Sequence, residues 1–160
     1  MCIRDSYYDV RLKYGRLSEM GVMLNDEFVW NQPIQSSRYE TCRFIRMSID
    51  DRHAMEELFE REHFEKVVNL AAQAGVRYSI TNPYAYLQSN LAGFLNVLEC
   101  CRHYEVKHLV FASSSSVYGL NSKVPYSEED KVDTPVSLYA ATKKSNELMA
   151  HSSSKLYGLS

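Results

Sequence analysis

The sequence predicts an α/β chain whose strands form a parallel sheet. Three observations predict it. Short apolar runs of strand length occur at 66–72 and 106–112, apolar residues recur at helical spacing between them, and the two kinds of segment alternate along the chain. Residues 7–23 read as a helix and are followed by a polar stretch through Ser37. A strand is expected at 42–49 and a helix at 51–64, with Asp51 as its N-cap, because a short carboxylate there can accept hydrogen bonds from the free amides of the first turn. The run at 66–72 is a strand leading into a loop of small residues. Leu87, Leu91, Phe94, Leu95 and Leu98 then mark the expected buried face of a long helix over 87–104. A short buried strand at 106–112 and a helix at 139–156 close the series, with Gly158 as its C-terminal cap.

Composition excludes several classes. The chain has 160 residues, 45% of them hydrophobic and 24% charged, with a net charge of −2, so nothing favours electrostatic capture of nucleic acid. No apolar run reaches the roughly 18 residues a membrane span needs. Cys2, Cys42, Cys100 and Cys101 lack Cys-x-x-Cys spacing, which predicts free thiols in a reducing, cytoplasmic setting. The five histidines show no metal-ligand spacing, so no metal is expected.

Chemistry concentrates in two places. Tyr139 and Lys143 are one helical turn apart and share a face, so a phenol and an ammonium can converge on one reacting hydroxyl. A free tyrosine, with pKa about 10, is a poor base at neutral pH, and an adjacent cation stabilises its phenolate. Upstream, the strand at 106–112 delivers Ser113, Ser114, Ser115 and Ser116 to its carboxyl end, where open parallel sheets place their ligands. A serine hydroxyl there could hydrogen-bond the same substrate oxygen.

These residues carry a resemblance. The segment Phe111-Ala112-Ser113-Ser114-Ser115-Ser116-Val117-Tyr118-Gly119 and the block from Ser137 through Tyr139, Lys143 and Glu147 to His151 resemble the extended short-chain dehydrogenase/reductase family, specifically its nucleotide-sugar epimerases. The second block looks most like UDP-glucuronate 4-epimerases. The likeness runs from about Tyr7 to the last residue. It implies a Rossmann-like, doubly wound parallel sheet that is N-terminally truncated and lacks the C-terminal substrate domain. No glycine-rich turn of the kind that holds a dinucleotide pyrophosphate occurs among the six glycines. Residues 1–6 stand outside the likeness and are expected to be a foreign or artefactual leader, leaving 7–160 as a partial NAD-binding domain.

The resemblance implies NAD as cofactor, a UDP-sugar as substrate, and a homodimer in the full-length parent. It assigns catalysis to Ser114, Tyr139 and Lys143, and substrate contact to Ser114, Ser115, Ser116 and Tyr139. Contact with the cofactor falls to Ile49, Leu70, Ala71, Ala72, Ala74, Asn90, Ala112, Tyr139 and Lys143. Ser48 stands where many relatives carry an acid, which weakens any adenine contact there but not the aliphatic role of Ile49. Related dehydratases carry Asp and Glu at the positions of Ser115 and Ser116. Without those carboxyls water elimination has no acid or base, so the expectation is 4-epimerisation through a transient 4-keto sugar. The first candidate is UDP-glucuronate to UDP-galacturonate, the next UDP-glucose/UDP-galactose or another sugar-nucleotide pair. The segment by itself is expected to be inactive. A non-catalytic binding domain on the same fold is the alternative of another class, against which the retained Ser114, Tyr139 and Lys143 argue.

Overall fold

The computed structural model describes residues 9–23 and 29–160, so the expected leader at 1–6, Cys2 and the first two residues of the predicted 7–23 helix lie outside the described residues. The chain divides into two compact units, Met1–Ser48 and Ile49–Ser160.

In the first unit, helix α1 (Val10–Glu19) begins later than its apolar pattern suggests, because Asp9 caps it by accepting from the Arg11 amide. The helix runs out at Gly21, whose φ of 74° and whose approach to Arg38 leave no room for a side chain: a Cβ would lie 2.7 Å from the Arg38 nitrogen. The segment read as polar coil contains strand β1 (Pro33–Gln35), which pairs antiparallel with β2 (Arg43–Ile45) in the register Ile34 to Phe44. The 42–49 strand is therefore shorter than expected, and its partner is a hairpin neighbour rather than a parallel strand. Side chains of the turn cause this. Ser36 Oγ accepts from the Arg38 and Tyr39 amides, and Gln35 Nε2 donates to the Glu40 and Cys42 carbonyls, which closes the hairpin without any apolar periodicity.

The second unit holds the rest. Helix α2 (Arg52–Glu62) starts on Asp51, whose carboxylate accepts from the Ala54 amide as predicted, and stops at His63 in the left-handed conformation. Strands β3 (Lys66–Asn69) and β4 (His108–Phe111) pair in parallel, Val67 beside Leu109 and Asn69 beside Phe111. Between them run two single-turn helices, α3 (Tyr78–Thr81) and α4 (Pro83–Tyr86), a π-helical segment Leu87–Ala92, and helix α5 (Gly93–His103). A 3-10 turn (Ser115–Tyr118) follows β4, and α6 (Leu138–Tyr157) ends the unit. The α6 caps are Ser137, accepting from the Ala140 amide, and the predicted Gly158, at φ 69°.

Two expectations about burial are corrected. The buried face of the 87–104 helix is Gly93, Phe94, Val97, Leu98, Cys100 and Cys101, whereas Leu87 and Leu95 are exposed and Leu91 is half-buried. For Leu87 and Leu91 the π-helical segment is the reason, since its i→i+5 bonding breaks the 3.6-residue phase on which the spacing argument depended, whereas Leu95 lies after it on the side of α5 that lines the open groove toward α6. Strand β4 is not fully buried either. Phe111 packs on Phe94 of α5 with ring centroids 5.0 Å apart, while Val110 and its neighbour Val68 lie on the exposed face of the two-stranded sheet. Elsewhere the core of this unit joins α2 to α5 and α5 to α6 around Met55, Phe59, Val97 and Leu98.

Candidate active site

Three elements of the second unit place the predicted residues. The first is the carboxyl end of β4. The Ala112 amide donates to the Asn69 carbonyl at 3.1 Å and extends the β3–β4 ladder by one residue, after which the chain turns. Ser114 caps the 3-10 turn: its Oγ accepts from the Ser116 amide and donates to Ser116 Oγ, both at 3.2 Å. Ser114 and Ser116 are half-buried, and Ala112 and Ser115 are exposed. Beyond Tyr118, which stacks on Tyr126 at 4.4 Å, the loop depends on Gly119 at φ 60°, where a Cβ would sit 2.5 Å from the Thr134 carbonyl oxygen.

Helix α6 is the second element, and the 3-10 turn packs against it. Tyr139 is half-buried with its ring edge-on to Tyr86, centroids 6.1 Å apart. Lys143 is only 5% exposed. Among the described residues neither the Tyr139 hydroxyl nor the Lys143 ammonium has a hydrogen-bond partner, although Glu147 acts on Lys143 through its charge. Burial pulls the Lys143 pKa below its ordinary 10.5, and the Glu147 carboxylate only partly opposes this. Desolvating an ammonium that has no acceptor costs folding free energy, and such perturbed groups cluster at functional sites.

The third element is the loop after β3, held from beneath by a buried polar network. Asn90, 2% exposed in the π-helical segment, accepts from the Gln73 amide at 2.7 Å and donates to the Gln73 carbonyl at 3.1 Å and to Thr142 Oγ1 at 3.0 Å. Thr142 passes the link to the Tyr139 carbonyl at 2.8 Å, and Asn146 donates to the Asn90 carbonyl at 2.7 Å. The Tyr86 hydroxyl donates to the Ala74 and Gly75 carbonyls. Loop and α6 are thus fastened through one residue, both of whose amide hydrogens are used within the chain. Replacing Asn90 with alanine should cost about 2–4 kcal/mol, since it strands several buried partners at once. Urea denaturation checks it, and a loss below about 1 kcal/mol would contradict this role for the network.

The remaining predicted residues sit around this frame. Leu70 is 73% exposed, Ala72 is exposed, and Ala71 and Ala74 are half-buried along the same loop. Ile49, half-buried, packs on Gly93 so closely that a Cβ there would lie 2.6 Å from its Cγ1. Cys100 and Cys101 are free thiols that burial pushes up to about 11 and about 12, which suits core packing rather than chemistry. Among the described residues no His, Cys, Asp and Glu group could hold a metal, and no helix is long and apolar enough to cross a membrane. Sequence reasoning missed Tyr86, Thr142, Asn146 and Glu147 as site-builders. Only Glu147, one turn beyond Lys143, carried a signal in its spacing.

The arrangement sets a half-buried phenol and a lysine ammonium, one turn apart on α6, against the 3-10 turn that Ser114 caps. The chain matches the family model described as GDP-mannose 4,6 dehydratase over residues 22–160. It is 48% identical to Protein CapI of Staphylococcus aureus over 155 residues, covering 97% of this chain and 41% of that protein. With UDP-glucuronate 4-epimerase 2 of Arabidopsis thaliana it shares 44% identity over 160 residues, 98% of this chain and 32% of the relative. The chain therefore spans less than half the length of these curated relatives. Among solved structures, UDP-glucose 4-epimerase of Thermus thermophilus in complex with NAD superposes with a TM-score of 0.67 at 34% identity, covering 72% of this chain and 38% of that one. Motifs, parallel strand pair and family match agree, and the chain belongs to the GDP-mannose 4,6 dehydratase family of nucleotide-sugar epimerases and dehydratases, within the extended short-chain dehydrogenase/reductases.

Proposed function

We propose that this chain is part of an NAD-dependent UDP-sugar 4-epimerase acting on UDP-glucuronate. The observation that carries the reading is Lys143, a buried residue whose partly desolvated ammonium has no hydrogen-bond partner among the described residues, one turn from an unpartnered Tyr139 hydroxyl. Those donors fit a nicotinamide ribose, whose hydroxyls would satisfy the ammonium. The small residues Ala71, Ala72 and Ala74, with Ile49, Leu70 and Ala112, suit close approach of the dinucleotide. NAD, when bound, supplies a reversible hydride acceptor.

The chain's own residues handle protons and orientation. Tyr139 takes the proton of the sugar 4-hydroxyl, Ser114 hydrogen-bonds the same oxygen, and Lys143 keeps positive charge beside the phenolate. Ser115 and Ser116 line the sugar side and carry no carboxyl, which favours epimerisation over water elimination. The 4-keto sugar turns over so that hydride would return to the opposite face of C4, and Tyr139 gives the proton back to the 4-oxygen. UDP-glucuronate is favoured over UDP-glucose by the 44% identity to the Arabidopsis UDP-glucuronate 4-epimerase against 34% to the Thermus UDP-glucose enzyme. Homodimer formation in the full-length protein is supported by the open apolar groove between α5 and α6, where Leu95, Leu148 and Leu156 are exposed.

The full-length protein, given UDP-glucuronate and NAD, should yield UDP-galacturonate with no net NADH and no 6-deoxy product. Faster conversion of UDP-glucose would move the assignment, and a 4-keto-6-deoxy sugar would end it. A one-subunit sedimentation mass would remove the dimer.

A further inference from the structure

We propose that Glu147 is a positioning residue of this site, its carboxylate locking the strand end that carries Ser114 onto the helix that carries Tyr139 and Lys143. The inference rests on the epimerase reading. Ser113, the residue before Ser114, donates its hydroxyl to Glu147 Oε1 at 2.5 Å, and Lys144 Nζ holds the other carboxylate oxygen at 2.9 Å. Among the described residues this is the one side-chain hydrogen bond between the serine run and α6.

The geometry makes Glu147 more than a surface charge. Burial pushes its carboxyl up, but the hydrogen bonds from Ser113 and Lys144 and the charges of Lys144 and Lys143 outweigh this and hold it below the usual carboxylate range. It is therefore ionised at neutral pH and accepts a charge-assisted bond, the stronger kind. Ser114 has no comparable anchor of its own, since its hydroxyl bonds only within its own turn, to Ser116. Its position relative to Tyr139 is thus set by the strand end, and an ångström of drift between serine and phenol is enough to slow proton transfer. Lys144 on the other oxygen limits carboxylate rotation, so the clamp has one orientation.

The test uses the full-length protein and the variants Glu147→Ala, Glu147→Gln and Ser113→Ala. Ser113 is exposed, so its variant keeps the test open if Glu147→Ala fails to fold. Glutamine retains an oxygen for Ser113 and should rescue. Glu147→Ala and Ser113→Ala should each lower kcat about tenfold with KM for the UDP-sugar within about twofold, and the double variant should be no worse than either. Hydrogen exchange of the Ser116 and Val117 amides, read without substrate, should quicken in both single alanine variants and stay slow in Glu147→Gln. Unchanged exchange in Glu147→Ala would overturn the clamp, as would a kcat within twofold of the parent or a glutamine variant as impaired as the alanine one. An inactive parent would instead refute the epimerase reading, and the exchange data would still decide the clamp.

Discussion

Substituting Tyr139 with phenylalanine in the full-length protein should slow C4 inversion by about 10²–10⁴-fold, the range general acid–base catalysis contributes. The melting temperature should move by no more than about 2 °C, because the change removes one oxygen with no hydrogen bond among the described residues. Phenylalanine keeps the edge-on packing against Tyr86 that locates the ring, so loss of packing cannot account for a lost rate. Affinity for the UDP-sugar should fall little, since the hydroxyl matters most when the proton moves. Interconversion of the two 4-stereoisomers followed by NMR, with calorimetry on the same sample, checks the result. Undiminished turnover would remove Tyr139 from the mechanism, and a fall of many degrees would make it a structural residue instead.

What the sequence disclosed and what it hid divide along a physical line. Asp51 and Gly158 were legible because capping is a local event: a short carboxylate before a helix and a residue free to take positive φ after one act on their immediate neighbours. The placement of Tyr139 and Lys143 one turn apart on one helix was legible for the same reason. The polar network was not. Asn90 meets Gln73 seventeen residues away and Thr142 fifty-two residues away, and no spacing rule reaches that far. Hairpin β1–β2 was missed because Ser36 and Gln35, not apolar alternation, close it. The face of the 87–104 helix was misplaced because a π-helical turn, invisible to a 3.6-residue count, lies in its first half.

That turn has a consequence for the site. Asn90, within it, is buried beneath the loop after β3, and Phe94 and Leu98, after it, are buried in the core. Single π-turns of this kind recur at functional sites. The segment that defeated the periodicity argument thus carries the residue whose hydrogen bonds fasten that loop to α6 beside Tyr139.

Lys143→Met should separate stability from activity in opposite directions. Lys143 is 5% exposed as a residue, is partly desolvated and has no hydrogen-bond acceptor for its ammonium among the described residues, so a similar-sized apolar side chain should raise stability at pH 7 by about 1 kcal/mol. For a chain of this size that is a melting temperature about 2–4 °C higher. Because burial lowers the folded-state pKa beneath 10.5, the unfolded chain binds more protons between the two values, and stability rises with pH across that window. Below it the desolvation cost is present in full. The methionine variant has nothing to titrate there and should lose that rise, which urea denaturation at neutral pH and through the alkaline window up to 10.5 would reveal. In the full-length protein the same change should cost about 10²-fold or more in turnover, together with weaker NAD binding, because the cation beside Tyr139 and the ribose is gone. A gain in stability with a loss of rate is the expected pattern for a group retained for its chemistry. A variant less stable than the parent at pH 7 would show that Lys143 serves the fold, and would remove the observation on which the functional assignment rests.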